Sequence, residues 1–154
     1  MYLMAPRPSF AELPVFYNVE GVVGAPPAEN RREEVMFVQF VFTVMAKNPL
    51  PTTPAPLLNA AKAVHLTGVC DPMTIAAIRA FQEDMKKDTP QQIVDGRVSP
   101  VRSGYTYSGK AGWIIIHMND ALQNRHVDLW PRIDKIPGCP GELVEMVRRN
   151  VAGK

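Results

Sequence analysis

The chain has 154 residues, 46% hydrophobic and 21% charged, which suits one globular domain and excludes a disordered tail, a collagen-like fibre and a disulfide-rich miniprotein. Lysine plus arginine number 17 against 15 aspartates and glutamates, too small an excess for a protein that lives on phosphate contacts, so no nucleic-acid partner is expected. The 15 prolines are about twice the average share and predict a compact helical core with long ordered connections.

At the amino terminus, Pro6, Arg7 and Pro8 interrupt any apolar targeting segment. No secretory signal is read. Synthesis in the cytoplasm is expected, with association to a particle or export by another route. Residues 15–20 read as a short extended piece punctuated by Gly21 and Gly24, within an arm (1–29) expected to lie across the domain surface.

Asn30 followed by Glu33 resembles a capping box, and it opens an apolar run at 35–46. Aromatic and β-branched content would equally suit a strand there; the cap signal and length favour a buried helix. The run is broken by Gln39 and Thr43 and is short of the roughly 20 residues that span a bilayer, so the chain is not read as membrane-spanning. A proline loop at 48–56 leads to a weaker helix at 55–66, ended by Gly68. Asp71-Pro72 is the clearest helix start. Ile75, Ile78, Phe81 and Met85 follow as one stripe, with Lys86 and Lys87 in the last turn. A tight turn at Asp95-Gly96, a polar loop at 102–110, a helix at 112–125, a proline-bounded connection at 131–140 and a helix at 142–151 complete the reading. No internal repeat is evident.

Reaction chemistry has little to attach to. His65, His117 and His126 have no partner at metal-ligand spacing, and no serine sits in a nucleophile elbow. Cys70 and Cys139 lie outside any Cys-x-x-Cys spacing and read as two unpaired structural thiols. Most carboxylates serve helix starts or turns, and no pair stands out for acid–base work. The expectation is no enzyme, no metal and no cofactor.

Two stretches carry a resemblance. Val38-Gln39-Phe40, and Gly68-Val69 followed by Asp71-Pro72, Thr74, Ile75, Ile78 and Phe81-Gln82, are similar to the pattern of peptidoglycan-binding-like domains, and Val94-Asp95-Gly96-Arg97-Val98 resembles the Asp-Gly turn that follows it. The similarity covers roughly residues 30–122. It implies a mainly α fold: a small three-helix peptidoglycan-binding-like core with extra helices, proline-rich loops and an extended amino-terminal arm. The single domain 1–154 would comprise the arm, a core at 30–125 with an insertion at 47–66, and a carboxy-terminal extension at 126–154. In such a core Gln39 and Gln82 hydrogen-bond loop backbone and are scaffold, not ligand contacts.

The resemblance implies a non-catalytic module that binds bacterial cell-wall peptidoglycan. The ligand-binding candidates near the turn are Arg97, Arg102, Tyr105, Tyr107, Lys110 and Trp113, because muropeptides call for aromatic faces and cations. The alternative is a structural or adaptor subunit of a phage tail or contractile injection particle, which would use the same scaffold to hold a protein partner in a larger assembly.

Overall fold

The computed structural model describes residues 1–5, 13, 15–101 and 113–152. It is mainly helical. Strands β1 (Tyr2–Met4), β2 (Phe16–Asn18) and β3 (Val23–Gly24) precede helices α1 (Arg32–Lys47), α2 (Ala55–Lys62) and α3 (Pro72–Asp88). Strand β4 (Arg97–Val98), helix α4 (Ile114–Arg125), a 3-10 turn at Ile133–Lys135 and helix α5 (Gly141–Ala152) follow. β1 pairs antiparallel with β2, and β3 with β4.

Helix α1 is the centre. Every residue from Glu34 to Phe42 is buried, because α2, α4, α5 and β3 pack around it. A helix apolar on all sides needs such enclosure. Its start differs from expectation: the cap position is Arg31, with no side-chain cap bond. Asn30 instead adopts φ 52°, and its carboxamide accepts the Gly24 amide at 2.7 Å and donates to the Gly24 carbonyl at 3.0 Å. The asparagine is spent on closing the loop before the helix. Glu34, also buried, accepts the backbone amides of Glu20 and Gly21.

The segment expected on the surface lies in the core. Leu13, Phe16, Tyr17, Val19 and Val23 have no solvent exposure. Both faces of β2 carry large apolar groups, so it has no face to give to water. Its backbone is paired by amide side chains: the Tyr17 amide donates to Asn119 at 2.7 Å, and Asn119 donates back to the Tyr17 carbonyl at 2.9 Å. In the opposite sense, the Asn18 side chain of β2 accepts the Val101 amide and donates to the Val101 carbonyl, each at 3.1 Å. The chain after α4 closes over the same strand. The Tyr17 hydroxyl donates to the Pro131 carbonyl at 2.6 Å, and the Trp130 indole donates to the Val15 carbonyl at 3.1 Å.

Helix α2 stops at Lys62, short of Leu66, because residues 64–70 are drawn into a loop held from α1. Helix α3 begins as read: the Asp71 carboxylate accepts the Thr74 amide at 2.8 Å and the Thr74 hydroxyl at 2.7 Å.

Candidate functional site

Two glutamines do the same job at two turns. Gln39 on α1 accepts the Gly68 amide at 2.8 Å and donates to the Val69 carbonyl at 2.9 Å. Gln82 on α3 accepts the Gly96 amide at 2.9 Å and donates to the Arg97 carbonyl at 2.9 Å. Both glycines have positive φ, 75° and 72°. Burying an amide costs little when each of its polar atoms finds a partner, and here each carboxamide closes a ring with one turn.

The second turn is fixed further by Asp95, whose carboxylate accepts from Gln82 at 3.0 Å and from the Arg97 amide at 3.0 Å. On its other side lies β3. A side chain at Gly24 (φ 133°) would place its Cβ 2.0 Å from the Gly96 carbonyl oxygen, so the close approach of these strands requires glycine.

Beside this turn opens a cleft of about 290 Å³, at the lower end of small-molecule sites. Its lining includes Gln82, Gln91, Gln92, Asp95, Arg97, Ser99, Ile93 and Trp113. Trp113 is half-buried and its carbonyl accepts the Ile116 amide at 3.0 Å, so the start of α4 fixes its backbone. Ile93 is 70% exposed at the cleft.

Of the six candidate residues, the fold brings Arg97 and Trp113 to this cleft, while Arg102, Tyr105, Tyr107 and Lys110 lie outside the described residues. Arg97 is already engaged: its Nε donates to the Ala25 carbonyl at 3.0 Å, and a terminal nitrogen bonds the Pro26 carbonyl. It braces the Ala25–Pro26 loop, and its five donors leave some capacity for a ligand. Sequence reading passed over Gln91, Gln92 and Ser99. The dipeptide Gln91-Gln92 follows Pro90 directly, and two adjacent amide side chains so close to an Asp-Gly turn were the available signal.

Elsewhere, burial shapes the titratable groups. It pushes the Cys139 thiol up to about 12, with Asp134 adding to the effect, and it raises Cys70 as well. Protonated thiols are poor nucleophiles. Burial lowers the His117 imidazolium, which keeps that ring neutral. Among the described residues no group of three or more His, Cys, Asp or Glu side chains is placed to hold a metal ion, and no helix is long and apolar enough to cross a membrane. In comparison with known proteins, no family model, curated protein or solved structure matches the chain.

Proposed function

We propose that the chain is a non-catalytic module that holds bacterial cell-wall peptidoglycan in the cleft beside the Asp95-Gly96 turn. The observation that carries this reading is the meeting of Trp113, Arg97, Gln91 and Gln92 at one cleft. Peptidoglycan offers sugar faces, amides and carboxylates. An indole can stack on a sugar face, the carboxamides of Gln91 and Gln92 can pair with acetamide or peptide groups, and spare guanidinium donors can meet a carboxylate. The turn-holding contacts of Gln39, Asp71, Thr74, Gln82 and Gly96 fit the resemblance read from the sequence, and that resemblance supports the same reading.

A second reading is a structural or adaptor subunit of a phage tail or contractile injection particle, favoured by the exposed Ile93 at the same cleft. Exposed apolar side chains at a cleft suit a protein segment as readily as a sugar.

Co-sedimentation with isolated sacculi separates the two. Saturable pelleting that Trp113→Ala weakens about tenfold, a loss of about 1.4 kcal/mol, supports the binding module. Arg97→Ala is a poor probe, because it also removes the brace to Ala25 and Pro26. Absence of pelleting at high protein concentration sinks the module and directs the search to a protein partner.

A further inference from the structure

The turn beside the cleft is built from a dipeptide that carries its own chemistry. Gly96 has no Cβ to shield its backbone nitrogen, and its φ of 72° favours glycine. Asp95 bonds the backbone two residues on, as aspartates in turns do, its carboxylate accepting the Arg97 amide at 3.0 Å. The fold thus favours Asp and Gly side by side, and the pair can react. The Gly96 nitrogen attacks Cγ of the protonated Asp95 carboxyl, a C–N bond forms, and the acid hydroxyl leaves with the amide hydrogen as water. The product is a cyclic imide. Water then opens it at either carbonyl, which restores aspartate or leaves isoaspartate, with the main chain lengthened by one methylene. Water is lost and regained, so no other reactant is consumed.

Both reacting groups are held by one buried side chain. Gln82 accepts the hydrogen of the attacking nitrogen at 2.9 Å through Oε1, and its Nε2 donates to the attacked carboxyl, at Oδ1, at 3.0 Å. The same Nε2 donates to the Arg97 carbonyl at 2.9 Å, and the Ala25 amide donates to the Gly96 carbonyl at 2.9 Å. The peptide on the far side of Gly96 is therefore pinned as well. Closing the imide requires the Gly96 N–H to turn away from Gln82 while its nitrogen comes to bonding distance of Cγ.

We propose that Asp95-Gly96 is a latent isomerisation site and that Gln82 keeps it closed, so that isoaspartate forms only when the turn opens away from α3. β3 packs so closely here that a Cβ at Gly24 falls 2.0 Å from the Gly96 oxygen. A backbone lengthened at this point has nowhere to go, and conversion displaces β4 together with Arg97 and its wall of the Trp113 cleft. None of this depends on what the cleft binds.

The test follows isoaspartate at residue 95 in the full chain held in warm neutral buffer, by enzymatic methyl transfer to isoaspartate and by peptide mass spectrometry, beside a synthetic peptide spanning residues 93–98. The chain should convert at least about tenfold more slowly than the peptide, because only the open turn reacts. A folded Gln82→Leu chain should convert at least about fivefold faster than the parent, whereas a folded Gln39→Leu chain, weakened at the other turn, should stay within about twofold of it. Where a variant does not fold, the parent decides. As urea is raised below the unfolding transition, exchange of the Gly96 amide and isoaspartate formation should rise by the same factor, because both wait on the Gly96 N–H leaving Gln82. Conversion of the parent as fast as the peptide, equal acceleration by Gln39→Leu and Gln82→Leu, no acceleration by a folded Gln82→Leu chain, or Gly96 exchange that rises without isoaspartate would each overturn the proposal.

Discussion

Gln82 holds Gly96 from both sides of one turn: it accepts the glycine amide at 2.9 Å and donates to the next carbonyl at 2.9 Å. Gln39 does the same for Gly68, at 2.8 and 2.9 Å. The core therefore uses one device twice. The two glutamines stand at unequal distances from their glycines along the chain, so no fixed period announces the repeat.

Gln39→Leu removes the acceptor of the Thr67 and Gly68 amides, and Gln82→Leu removes the acceptor of the Gly96 amide and a donor to the Arg97 carbonyl. Each unsatisfied buried group costs about 1–3 kcal/mol, so with two groups affected Gln39→Leu and Gln82→Leu should each lose about 2–6 kcal/mol in urea unfolding. The pairs share no partner, and the double variant should lose the sum to within about 0.5 kcal/mol. A loss below about 1 kcal/mol for either would mean that water satisfies these turns.

Glycine substitutions separate three environments. Gly24→Ala puts a Cβ 2.0 Å from the Gly96 oxygen, a backbone atom that cannot move without breaking the β3–β4 pair, so folding should fail in expression and circular dichroism. Gly96→Ala meets a flexible Arg79 side chain at 3.0 Å and a φ of 72°, and should cost about 1–2 kcal/mol. Gly141→Ala meets nothing within 4 Å at the start of α5 and should be neutral or slightly stabilising.

Local signals were legible in the sequence wherever one residue and its near neighbours decide the outcome. Asp71-Pro72 marked the start of α3, and the length of the apolar run marked α1 as a buried helix where its composition alone suited a strand equally well, although the cap signal read at Asn30 was misplaced. The roles of Gln39 and Gln82 as holders of loop backbone were also readable from the family-like pattern. What failed depended on partners beyond the immediate neighbours. Asn30 reads as a cap from its neighbours, yet its carboxamide is consumed by Gly24 across a loop. Phe16 and Tyr17 read as a surface strand because their cover, Asn119 of α4 and Trp130 beyond it, comes more than a hundred residues later. The Trp113 cleft was half legible. Arg97 and Trp113 were named, whereas Gln91 and Gln92 reach it through a loop course that no periodicity encodes.

Asp71 ties acid stability to one helix start. The Thr74 amide and hydroxyl hold its carboxyl below the usual carboxylate range. A carboxyl whose pKa is lowered by folding stabilises the fold above its unfolded value, about 3.9, and loses that contribution as pH falls through the folded value. Asp71→Ala should lose about 1 kcal/mol at pH 7, as N-cap removals do, and less at pH 2.5. Urea midpoints at the two pH values check this, and an equal loss at both would mean that the charged form contributes nothing.

His117 acts in a separate window. Burial lowers its pKa, with Asp120 opposing, and Asp84 and Arg125 line one cavity with it. The folded state thus binds a proton at this ring less readily than the unfolded chain, whose value is about 6.5. Below about pH 6.5 the unfolded state takes up more protons, so stability falls with pH until the folded ring also titrates; above it the contribution is flat. His117→Gln removes the difference. The urea midpoint of the parent chain should therefore drop between pH 7.5 and 5, and the drop should shrink in the variant. Asp71 and the other lowered carboxyls, Glu20 and Asp134, titrate further down and leave this interval to the histidine. An undiminished drop in His117→Gln would place the sensitivity elsewhere.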